Sequence, residues 1–355
     1  MKKQPWIGRP WIDIVFILLP PFLSLLVIML FPQMFQNNKD MPVAGWVVLV
    51  LLIDVAHVYS TLYRTYFDPN ALKEQRALLW TIPFVSFIVG VIVYSINDHL
   101  FWRLLAYAAV YHFVRQQYGF MRVYSRKEIQ APTASLIDKI TIYGLTIYPL
   151  LYWHLGGPRN FNWFIEDDFL FVEAKGLLTV FTSLYFLMLA VYLLKEIRQV
   201  AITRTLNIPK LAIMAGTGLS WYFGIVYYNG DMAFTLLNVV SHGIPYMALI
   251  WLYGEKNYST QGTGFLKLVF SRYGLVVFIG LLVLFAFIEE GLWDMTLWKE
   301  HDSVFGTGNL VHFQLSNMML SLIVPLLALP QITHYVLDGF IWRIKGEKFK
   351  WKSEV

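Results

Sequence analysis

The sequence predicts an all-α polytopic membrane protein of about ten transmembrane helices, and three observations carry that expectation. First, charged residues make up 14% of the 355 residues and hydrophobic ones 57%, against about 25% charged in a water-soluble domain. So few charges cannot cover a water-facing surface. Second, apolar runs recur at the ~20-residue length that a helix needs to cross a bilayer. They are continuous, not alternating in polarity as in a transmembrane barrel. Third, the basic residues are partitioned between alternate loops, as the positive-inside rule requires.

The ten segments are roughly 11–32, 43–63, 78–96, 100–120, 135–156, 175–195, 210–229, 232–254, 270–289 and 311–342. With the N-terminus in the cytoplasm, alternation leaves only Lys39, Arg103, Arg159, Lys175 and Lys299 of the 28 basic residues outside. The basic tail, with Arg343, Lys345, Lys348, Lys350 and Lys352, then lies in the cytoplasm as well. Acidic residues lean outward, and Glu289, Glu290, Asp294, Glu300 and Asp302 are expected in one outer loop. The basic start, Met1-Lys2-Lys3, leads into a run too long for a cleaved signal peptide, with no small-residue cleavage site after it. Pro325 and Pro330 should bend the last span, because each removes an amide donor and crowds the preceding turn. No repeat or soluble domain is apparent, so 1–355 reads as a single transmembrane domain.

The formal charge of +5 does not imply nucleic acid, because the basic residues flank apolar segments and form no separate domain. Cysteine is absent, which excludes disulfides, zinc–thiolate and iron–sulfur sites and thiol catalysis. Any metal must be held by nitrogen and oxygen.

Eight histidines remain. His99, His154, His301 and His312 fall at outer span ends or in outer loops and read as interfacial side chains. His57, His112, His242 and His334 fall inside four different spans. His57 precedes Arg64 by seven residues and His334 precedes Arg343 by nine, about 10–14 Å along a helix. The four could therefore meet in one layer of the cytoplasmic half and share a metal, since neutral imidazole suits iron, copper and zinc. Asp54, His57, Thr61, Arg64 and Asp68 follow alternating spacings of three and four, a polar stripe on an apolar helix. Asp338 follows His334 by one turn. Asp54 and Asp338 are each expected as a ligand or as the group that orients an imidazole. Gln116 follows His112 on one face, and Asn238 precedes His242. Gly243 and Pro245 after it should weaken that helix. Asp54, Arg64 and Gln116 are the expected catalytic or substrate-facing groups.

Other arrangements fit less well. No two histidines are closer than eleven residues, unlike the paired histidines of membrane desaturases. Stacked haems need more histidine pairs. A proton or cation carrier would also place His and Asp at membrane depth, and a non-catalytic scaffold would use the same residues as helix glue.

His334, Asp338, Phe340-Ile341-Trp342 and Arg343 resemble the last motif of the Brp/Blh-type integral-membrane β-carotene dioxygenases of bacteria and archaea. Tyr111-His112-Phe113 is similar to that family's second motif. The family's first motif is Pro-His-Gly, where this chain has Ala56-His57-Val58, and its third carries two histidines, where this chain has His242 alone. The resemblance implies a histidine-held iron that cleaves a polyene. The expected function is thus a membrane metal-dependent oxidoreductase or oxygenase acting on a lipophilic substrate such as a polyene, quinone or acyl lipid. Iron(II) ranks first, then zinc or copper, then haem. The expected partners are membrane lipid and the substrate, with no nucleic acid, and the expected location is a bacterial cytoplasmic membrane.

Overall fold

A run of apolar residues in a membrane must satisfy its backbone internally, and helices do this within one segment. The computed structural model describes residues 4–35, 41–259, 264–306 and 315–342, and no strand occurs among them. The major helices are α1 (Pro10–Leu18), α2 (Pro20–Leu30), α3 (Val43–Arg64), α4 (Arg76–Ile96), α5 (Asp98–Tyr124) and α6 (Pro132–Leu155). They continue with α7 (Lys175–Thr203), α8 (Ile208–Trp221), α9 (Asp231–Tyr258), α10 (Leu275–Trp298) and α11 (Asn317–Ile341). All ten expected segments contain one of these helices.

Six of the helices (α3, α4, α7, α9, α10 and α11) are long and apolar enough to cross a membrane. The pair α1 and α2, bent by 49° where Pro20 and Pro21 begin the second helix, would make a seventh. Helices α5, α6 and α8 are formed but do not meet the same measure of length and apolarity, so among the described residues six spans, or seven with the bent pair, meet it, and the count of ten is not confirmed. Helix α11 breaks at Ala328, between Pro325 and Pro330, as their missing donors require. The basic tail, from Arg343 on, and His312 lie outside the described residues.

The chain divides into two compact units. Unit 1 comprises residues to Met41 and Phe113–Pro245; unit 2 comprises Pro42–His112 and Tyr246–Arg343. Helices α5 and α9 each begin in one unit and end in the other.

In unit 1, α8 is capped by Asn207, whose side chain accepts from the Lys210 amide. Its first turn sinks Lys210 completely into the protein. The ammonium meets Glu128 at 3.0 Å and Glu196 at 2.7 Å, with Asp138 at 3.6 Å. Lys195 pairs with Asp138 and Glu196. These five charges tie the ends of α6, α7 and α8 to the α5–α6 loop. Pro245 removes the amide that would serve the Ser241 carbonyl one turn back. Gln117 Nε2 approaches that carbonyl at 3.4 Å, and Gln116 Nε2 donates to the neighbouring His242 carbonyl at 2.9 Å. Helix α9 therefore stays continuous through Gly243 and Pro245, where the sequence suggested an opening.

In unit 2, aromatic rings lock the ends of the helices. Tyr63 of α3 stacks on Phe278 of α10 at 4.8 Å, and Trp102 of α5 packs on Trp293 and Trp298. Gly90 of α4 lets α11 approach closely: a Cβ there would come within 2.9 Å of Pro325 Cβ. Glu289, Glu290 and Asp294 are not in an outer loop. They lie within α10 and are buried, because that helix runs nine residues past its expected end at 289.

Candidate metal centre

The site grows from α3. Residues Val47–Val55 form a stretch of wide, π-type helical turns and the chain returns to α-helical winding at Ala56. Such widenings inside helices often mark functional positions. His57 follows at once and is buried. Asp54 Oδ1 lies 3.6 Å from its Nδ1, as the three-residue spacing on one helix face suggests.

His112 of α5 and His334 of α11 reach the same place. The His57 and His334 rings are 5.1 Å apart, and those of His112 and His334 are 4.4 Å apart. Both are as buried as His57. The ring nitrogens that these three offer as ligands lie within 4.8 Å of one another.

Each of the three Nδ1 atoms faces an oxygen. His57 faces Asp54, His112 faces Asp338 Oδ2 at 3.5 Å, and His334 meets Thr61 Oγ1 at 2.6 Å. Asp338 thus serves an imidazole on another helix, one of the two roles that the sequence left open. An oxygen on Nδ1 leaves Nε2 for a metal. His334 Nε2 is buried and makes no hydrogen bond among the described residues. A buried nitrogen without a partner costs about 1–3 kcal/mol, a penalty that a bound metal would remove. All the donors are imidazoles, so the set fits a divalent transition metal.

His242 sits in the unit 1 part of α9. It is fully buried and stacks on Phe113 at 3.5 Å with an 8° tilt. On the same helix it is one turn before Tyr246, whose ring lies 5.0 Å from His334, 6.0 Å from His57 and 6.4 Å from His112. His57, His112 and His334, all of unit 2, form a group of buried histidines that could hold a metal ion.

The remaining expected residues have structural contacts. Arg64 donates to the Ile341 carbonyl at 3.5 Å and lays its guanidinium 4.2 Å over Tyr253, closing the end of α11. Gln116 is engaged with the α9 backbone. His99, His154 and His301 are half-buried, in keeping with their expected interfacial places.

Three features went unread in the sequence. Tyr246 is fully buried among the histidines and lies 3.1 Å from Thr61 Oγ1. Its signal was present, one turn beyond His242. Tyr335 stacks on His112 at 5.2 Å. Tyr59 donates to Glu289 Oε2 at 2.6 Å, joining α3 to the buried acids of α10.

No protein-family model, curated protein or solved structure matches the chain.

Proposed function

We propose that this protein is an integral-membrane, metal-dependent oxidoreductase of the oxygenase type that acts on a lipophilic substrate, with iron(II) as its metal. The observation that supports this reading most is the convergence of His57, His112 and His334, whose ring nitrogens come within 4.8 Å of one another, with His334 Nε2 buried and without a hydrogen bond among the described residues. A histidine-bound iron supplies dioxygen chemistry with positions left open for reactants. In that reading the chain's own residues bind and orient. His57, His112 and His334 are the ligands, Asp54 and Asp338 hold imidazoles, and the apolar helices around them exclude water. The bilayer delivers a polyene, quinone or acyl chain. The membrane is the bacterial cytoplasmic membrane, with both chain ends on the cytoplasmic face.

Elemental analysis of the purified protein tests this. About one iron per chain, lost in both His57→Ala and His334→Ala while the protein stays folded, is the expected result. A folded wild-type chain with no metal would sink the proposal.

A second reading, a proton or cation carrier, draws on the buried Glu289, Glu290 and Asp294 of α10 and the Tyr59–Glu289 bond. Proton or cation flux into liposomes that stops in Glu289→Gln, with no bound metal, would favour it.

A further inference from the structure

In unit 1, the second half of α5 and the first half of α6 lie side by side, and cations gather along one flank of the pair. Arg115 Nη1 donates to the Tyr143 hydroxyl at 2.6 Å, and Arg122 Nη1 to Ser135 Oγ at 3.4 Å. These bonds fix an antiparallel register between the two helices. Lys139 lies four residues from both Ser135 and Tyr143, hence on their face of α6 and level with the middle of the Arg115–Arg122 interval. Gly119 occupies that middle on α5, one turn past Arg115, and a Cβ there would meet nothing within 4 Å. The Tyr118 and Tyr143 rings stack at 5.2 Å, and the Arg115 guanidinium lies 5.2 Å from the Tyr118 ring centre. Arg115, Arg122 and Lys139 are exposed, and no carboxylate pairs with any of them among the described residues. The adjacent Asp138 is buried in the Lys195 and Lys210 cluster instead.

We propose that the recess over Gly119, between Arg115, Arg122 and Lys139, binds the headgroup phosphate of an anionic phospholipid. Three like charges on one flank repel one another until an anion joins them, and the guanidinium fork matches phosphate oxygens. The bond to Tyr143 uses one of the five donors of Arg115 and, with the Tyr118 ring, holds the others in place. The two arginines are about 10 Å apart along α5. The glycine between them leaves backbone at the floor, so a phosphate can come close. Leu136, Ile140 and Ile147 of α6 are exposed beside the recess, where acyl chains would lie. A phosphate free in water has no use for those apolar neighbours. A zwitterionic lipid would bring a further cation to a site that already has three. The recess lies toward the α5–α6 loop, the end that the charge pattern expects at the cytoplasmic face, where the leaflet carries anionic lipid. The inference rests on the membrane location of the chain and not on the metal reading.

Native mass spectrometry of the full-length protein in a nonionic detergent tests this, with phosphatidylglycerol and phosphatidylcholine of the same acyl chains titrated separately. The wild type should hold one phosphatidylglycerol about tenfold more tightly than phosphatidylcholine, and the double variant Arg115→Gln, Arg122→Gln should bind phosphatidylglycerol about 10–30-fold more weakly. The double variant Lys127→Gln, Arg198→Gln removes the same charge from other exposed positions of unit 1 and should bind as the wild type does. Equal retention of the two lipids by the wild type overturns the proposal, and that comparison needs no variant to fold. An unchanged affinity in the arginine variant overturns it too, and so does an equal loss in both variants, which would show attraction to net charge alone. Displacement of the lipid by millimolar inorganic phosphate would make the recess a site for a free anion and overturn the lipid assignment. A chain that holds the lipid but no metal would uphold this inference and overturn the metal reading.

Discussion

The ion cluster of unit 1 and the histidine cluster of unit 2 both bury polar atoms in an apolar protein, and they use those atoms in opposite ways. Around Lys210 every charge meets an opposite charge. The ammonium has three carboxylates within 3.6 Å, Lys195 shares two of them, and the Asn207 amide donates to Glu128 at 2.8 Å. Such a group is closed, and removing one member strands a buried charge. Around His334 the polar groups are three imidazoles. One nitrogen of each of the three unit 2 imidazoles faces an oxygen, and His334 Nε2 is buried without a hydrogen bond among the described residues. Closure by charge gives a staple between helices. Clustered imidazoles that no opposite charge closes off give a binding site.

The sharpest way to break this comparison is to remove one member of each cluster. Lys210→Ala should cost about 3–5 kcal/mol of stability, because it leaves buried carboxylates without their cation. Denaturant unfolding monitored by tryptophan fluorescence will show this, and metal content per folded chain should not change. His112→Ala should do the reverse: bound metal falls to background by elemental analysis while the metal-free protein unfolds nearly as the wild type does.

A smaller effect is expected for Asp338→Asn. The amide offers the His112 imidazole a weaker partner than the carboxylate does, so metal affinity should fall about 10–100-fold, read by Co(II) titration. Smaller again is Gln116→Ala. Loss of its bond to the His242 carbonyl should cost about 1 kcal/mol of stability. Turnover within twofold of wild type would remove Gln116 from the catalytic set that its sequence position suggested.

The smallest expected effect is pH-dependent and lies outside both clusters. His301, just beyond α10, stacks on Trp46 at 3.7 Å. Burial holds its imidazole below the ordinary value of 6.5, and the nearby Asp294 and Glu300 only partly oppose that. The unfolded chain then takes up a proton before the folded one, so stability falls as pH drops through about 6.5. His301→Gln should flatten that slope in thermal unfolding measured between pH 7.5 and 5.5.

Composition and spacing by themselves determined the helical membrane architecture, the four buried histidines and the two carboxylates beside them. The reason is physical. Apolar length sets where helices run, and a histidine or aspartate inside such a run stands out against it. The Asp54–His57 contact was legible as well, because a three-residue spacing on one helix already makes neighbours. The count of ten spans is not confirmed, since α5, α6 and α8 fall short of the length and apolarity that mark the other helices. Tyr246 and Thr61 were not legible. A lone tyrosine or threonine in an apolar run reads as ordinary core, and only the packing of α3, α9 and α11 aligns them with His334. Tertiary structure also decided that Asp338 faces His112 rather than its own neighbour His334, that Glu289 and Glu290 are buried, and that Lys195 and Lys210 are buried ions rather than solvated ends of spans. Each of these depends on which helix faces which. Spacing along one helix cannot specify that, because hydrogen bonds and ion pairs between helices are set by three-dimensional approach.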